Sequence, residues 1–133
     1  MCWILYGALQ GKVDADALHA VNARHACHFE LGTRHAVKMA VTAEDWAYRL
    51  TDGCCDCESP IGAHDPGAAE VADMAALIAE LCALDGAETL TLCKTWRDDR
   101  CRQERAVKRS EADLPRLLAD LAPRTLYTLA CKA

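Results

Sequence analysis

Cys2-Trp3-Ile4-Leu5-Tyr6-Gly7-Ala8-Leu9 is a near-continuous apolar run, without the polar alternation of a strand that faces water on one side. A strand of this kind is buried on both faces and lies in the interior of its sheet. The rest of the chain has to be arranged around it.

Gly11-Lys12-Val13 reads as a turn, and Asp14 as the N-cap of a first helix over about 15–28. Leu18, Val21, His25 and then His28 or Phe29 fall at helical spacing, and Leu31-Gly32 ends the pattern. His35, Val37, Met39 and Val41 alternate with Arg34, Ala36, Lys38 and Ala40, the pattern of a half-buried second strand. A tight turn at Ala43-Glu44-Asp45 leads into a third strand, in which Trp46, Tyr48 and Leu50 alternate with Ala47, Arg49 and Thr51. Asp65-Pro66 is a strong helix start. Val71, Met74, Leu77, Ile78, Leu81 and Leu84 then mark one face of a second helix, with Gly86 as its C-cap. Leu90 and Leu92 open a fourth strand that runs to Trp96. Arg97-Asp98-Asp99-Arg100 reads as a hairpin loop to a fifth strand over about 103–109. Ser110-x-x-Asp113 resembles a capping box, ahead of a short third helix marked by Leu114, Leu117, Leu118 and Leu121. Pro123 ends that helix, and Thr125 to Cys131 is a last strand.

The expected fold is therefore α+β: a ferredoxin-like β-α-β-β-α-β core with an added C-terminal β-α-β extension. It has a largely antiparallel sheet with helices on one face, in a single domain over residues 1–133. A chain of 133 residues with 52% hydrophobic and 26% charged content needs no disulfide to form a core. The first residues have no basic segment, and their apolar run is too short for a signal peptide or a membrane span. A cytoplasmic, reducing setting follows as the expectation. Nine cysteines is an odd number, so most are expected to be thiols, with Cys82 buried in the second helix.

The chemistry concentrates in Cys54-Cys55-Asp56-Cys57, which leaves the third strand through Thr51-Asp52-Gly53. In the ferredoxin-like order, one end of the sheet collects Cys2, Cys27, His28, His35, the cysteine run and His64. Cys55 and Cys57 in extended backbone point to the same side, as two ligands of one ion must. Zinc takes four Cys or His ligands in a tetrahedron. The candidate set is Cys55, Cys57, Cys2 and His64, with Cys54, Cys27 and His28 as substitutes. Against it, there is no second Cys-x-x-Cys, and adjacent Cys54-Cys55 rarely both bind one ion. Reduced thiols buried as small hydrophobes explain the same residues. A catalytic thiol is a third reading, weakened by the eight residues between Cys57 and the helix start at Asp65. His25, on the apolar face of the first helix, reads as a core histidine bonded to a backbone carbonyl.

The net charge of −5 is uneven. Lys94 to Arg109 holds seven basic and three acidic residues, so it carries +4 and the remainder −9. Trp96 beside this basic hairpin offers a platform for RNA or phosphate binding. Asp98 and Asp99 at the tip repel phosphate, and nucleic acid is disfavoured as a partner. No Gly-rich phosphate loop, Gly-x-Ser-x-Gly or His-Glu-x-x-His is present.

The function expected is that of a small cytosolic binding or interaction module rather than an enzyme, taking a small-molecule ligand or a protein partner. Zinc- or thiol-dependent catalysis at the cysteine run is the alternative. An open sheet face carrying Trp3 or Tyr6 would also favour a homodimer, in preference to pairing through the arginine-rich edge.

Overall fold

The computed structural model describes residues 3–25, 30–31, 46–49, 69–96, 103–107 and 113–131. Its elements are β1 (Trp3–Gly11), α1 (Ala15–His25), β2 (Glu30–Leu31), β3 (Trp46–Arg49), α2 (Ala69–Ala83), β4 (Ala87–Trp96), β5 (Gln103–Val107), α3 (Leu114–Ala119) and β6 (Thr125–Ala130). The strands form one sheet in the order β2-β3-β1-β4-β6-β5. β1 lies inside it, antiparallel to β3 on one side and to β4 on the other. Its ladder with β4 runs from Trp3↔Trp96 to Gly11↔Ala87. The apolar run at the start of the chain thus occupies the interior position that its composition demands.

Side chains alternate across a strand, so the sheet has two distinct faces. Leu5, Leu9, Leu90, Leu92, Tyr127 and Leu129 share one face with Leu18 and Val21 of α1, Val71, Leu77, Ile78 and Leu81 of α2, and Leu118 of α3. All three helices therefore contribute to one core. Ile4, Tyr6, Ala8, Cys93 and Leu126 form a second buried cluster on the opposite face. That corrects the expectation of an open face at Tyr6, which is only 2% exposed within the single chain.

Local signals explain the helix ends. The Asp14 carboxylate accepts a hydrogen bond from the Ala17 backbone N–H at 3.0 Å, which caps α1 as expected. α2 stops at Ala83, and Gly86 follows with φ of +86°. Gly11, at +126°, meets it across a bulge at the end of the β1–β4 ladder. A Cβ on Gly11 would come within 2.1 Å of the Gly86 carbonyl oxygen, and one on Gly86 within 2.0 Å of the Lys12 carbonyl oxygen. Only glycine fits either position. In α3 the cap is Asp113 itself, with extended backbone and a carboxylate that accepts from Arg116 N–H at 3.5 Å. Asp113 therefore takes the capping role that the Ser110 pattern assigned elsewhere, and Pro115 sits in the first turn, where an N–H is not required.

The sheet is mixed rather than wholly antiparallel, because β5 and β6 are parallel. The expected hairpin of the fourth and fifth strands is not formed, since β6 lies between β4 and β5. β6 has buried residues on both faces and suits an interior position, whereas the Gln-Glu-Arg start of β5 suits a strand with one neighbour. α3 supplies the crossover that a parallel pair needs. The Arg124 N–H, at a residue with φ of +59°, bonds to the Lys94 carbonyl at 2.6 Å and ties the entry of β6 to β4. The Tyr127 hydroxyl accepts from the Ala122 N–H at 3.0 Å and holds the same connection from the core side.

The strand expected over 35–41 and the helix start at Asp65-Pro66 lie outside the described residues. The described β2 is Glu30–Leu31, which pairs with Ala47 and Trp46 of β3.

Candidate functional site

Two strands set the geometry of the end where the cysteine site was expected. β1 starts there at Trp3, opposite Trp96 at the end of β4. β3 runs toward it, its register passing from Leu9↔Trp46 to Tyr6↔Arg49. Cys2, Cys27, His28, His35, Cys54, Cys55, Cys57 and His64 themselves lie outside the described residues. Their described neighbours separate into two groups. Trp3 follows Cys2, and Arg49 precedes the cysteine run on a strand directed at the start of β1. His25 and Glu30 flank Cys27 and His28, and both sit toward the other end. Glu30 pairs with Ala47, which stands opposite Ala8. His25 bonds to Glu80, one turn before α2 finishes.

The polar groups near the start of β1 were not apparent from the sequence. Lys94 stands opposite Leu5, hence on the helix-covered face, and is only 6% exposed. The alternation Leu90, Leu92, Lys94 carries the signal for burial, although by charge Lys94 belongs to the basic 94–109 segment. Lys94 itself is therefore withdrawn from solvent, while Arg97, Arg100, Arg102, Lys108 and Arg109 lie outside the described residues. Thr95, on the opposite face, is fully buried, and its hydroxyl has no hydrogen-bond partner among the described residues.

His25 is half-buried, and its Nε2 donates to Glu80 Oε2, in place of the expected backbone carbonyl. Arg24 Nε lies 3.1 Å from Glu80 Oε1. The hydrogen bond from His25 holds the Glu80 carboxyl below the usual glutamate value, outweighing desolvation, and the Arg24 charge adds to the effect. Chemically this is a clamp between α1 and α2. His19 of α1 packs edge-on against Trp46 of β3, with ring centroids 6.0 Å apart, and fixes the same helix to the sheet.

Among the described cysteines, Cys82 and Cys131 are buried, as expected for Cys82, and their sulfurs face each other. Cys93 is disulfide-bonded, so the expectation that most of the nine cysteines are thiols does not extend to this one. Among the described residues no group of three or more His, Cys, Asp or Glu side chains is arranged to hold a metal ion. No described helix is long and apolar enough to cross a membrane. No family model, curated protein or solved structure matches this chain.

Proposed function

We propose that this chain is a small α+β binding module, not a catalyst, with its specific site at the end of the sheet where β1 begins. Its core is read as ferredoxin-like over β1-α1-β2-β3-α2-β4, with β5-α3-β6 added beside β4. The order β2-β3-β1-β4 with antiparallel neighbours supports that reading. Zinc is the proposed occupant, held by Cys55, Cys57, Cys2 and His64.

The observation that carries the proposal is the direction of β3. It brings the chain that continues into Cys54-Cys55-Asp56-Cys57 toward the strand start that follows Cys2. The same observation ranks the substitutes. Cys27 and His28 leave from residues placed toward the opposite end, so Cys54 is the better reserve ligand.

Metal analysis of protein purified without chelator tests this directly. About one zinc per chain is expected, and replacing Cys55 and Cys57 by Ser should release it and lower the melting temperature. Metal-free protein whose melting temperature ignores chelators rejects the zinc site. A thiol-dependent enzyme, the second reading, would instead show one cysteine of the run alkylated near neutral pH far faster than the others.

A further inference from the structure

We propose that Cys82 and Cys131 form a redox-responsive pair that closes to a disulfide and fastens the end of β6 to the last turn of α2. The two Sγ atoms lie 2.7 Å apart. A disulfide bond is about 2.05 Å long, so closure needs a movement of well under an ångström. The two residues are 49 apart in sequence and brought together only by the fold.

Both partners are rigidly delivered. Cys82 belongs to the final turn of α2, between the buried Leu81 and the turn at Gly86. Cys131 is the first residue beyond β6, and its N–H donates to the Glu88 carbonyl at 2.9 Å, which extends the β4–β6 pairing by one residue. Their exposures are 4% and 3%, within the helix-side core. Burial in apolar surroundings disfavours the thiolate, so the pair is inert to bulky alkylating agents and reacts through opening of this corner.

The oxidant is a low-molecular-weight disulfide of the glutathione class. The Cys131 thiolate attacks one of its sulfurs and releases the first glutathione thiolate. The Cys82 thiolate then attacks the Cys131 sulfur, forms the intrachain bond and expels the second. Two electrons pass from the protein to the oxidant, and the two protein protons end on two glutathione thiols. The loop so closed spans roughly fifty residues and contains β4, β5, α3 and β6.

The test uses wild-type folded protein equilibrated in glutathione buffers of graded oxidation, with free thiols then blocked by N-ethylmaleimide. Digestion without reduction must combine trypsin with a protease that cuts at acidic residues. Cleavage at Glu80 and Asp85 separates Cys82 from Cys93 and from the Cys54–Cys57 run, while trypsin isolates Thr125–Lys132. A linked Cys82–Cys131 peptide should appear in oxidising buffer and vanish on return to reducing buffer. The melting temperature should rise with it by on the order of 5 °C or more. Cys131→Ser should lose that rise, and if this variant fails to fold the wild-type peptide map decides alone. Recovery of both cysteines as maleimide adducts throughout, as separate glutathione adducts, or joined to other cysteines overturns the proposal.

Discussion

A methyl group at Gly86 would collide with the Lys12 carbonyl oxygen and would also be held at a backbone angle that L-residues avoid. The two penalties act at one atom, and Lys12 is backbone, so nothing flexible can yield. Gly86→Ala is expected to lower stability by about 2 kcal/mol or more. Urea unfolding measures it, and a change below about 0.5 kcal/mol would mean that the corner relaxes. The sequence marked Gly86 correctly as a helix stop. It gave no sign that Gly11 and Gly86 face each other, because that contact exists only once β1 and β4 are in register. Lys94 teaches the same lesson from the opposite side: a charge in a basic segment is buried because its position in the alternation outranks its neighbours in sequence.

α1 is a short helix whose exposed side is largely polar, and its hold on α2 includes the Arg24–His25–Glu80 contact. Because the folded Glu80 carboxyl titrates below its unfolded value, its contribution is present above the unfolded value. It is lost as pH falls through the folded one. Glu80→Gln should therefore lower the melting temperature at neutral pH and flatten the decline as pH falls below the ordinary glutamate value. Both effects should shrink in high salt, since Glu80 is partly exposed. Parallel acid limbs for the two proteins would show that the clamp contributes nothing. Among the elements, β1, α2 and β6 were legible because each has an apolar pattern that only one environment satisfies. The neighbour of β5 was not. A six-residue gap between two strand patterns suggests a hairpin, but Arg97-Asp98-Asp99-Arg100 lacks a favoured turn pair, and α3 makes the parallel alternative available.

For the whole molecule, burial of Ile4, Tyr6, Ala8, Cys93 and Leu126 removes the sheet-face motive for dimerisation at those positions. A homodimer stays a proposal on other ground, since β5 has one strand neighbour among the described residues and a strand edge is a ready template for pairing with another chain. Sedimentation at micromolar concentration should then show a two-chain species, and a single species of 14.5 kDa removes the proposal. The candidate site was legible only as a list of thiols and imidazoles. Whether they meet depends on strand direction and register, which composition does not encode. The β3 direction is the described feature that supports the proposal for Cys2 and the cysteine run, all of which lie outside the described residues.

The interior place of β6 also bears on how the protein is made. β6 is synthesised after β4 and β5, yet it separates those two strands, which have already emerged. Ala130 follows Trp96 by thirty-four residues. At cellular rates of translation, the edge of β4 therefore waits roughly 2 to 7 s for its proper neighbour. Throughout that interval β5 is the nearest strand available, and the nascent chain meets the same ambiguity as a reader of its sequence. The polar Gln103-Glu104-Arg105 segment, poorly suited to an interior lane, makes that early pairing weak enough for β6 to displace. The charges of β5 thus keep a lane open for a strand that the ribosome has yet to deliver.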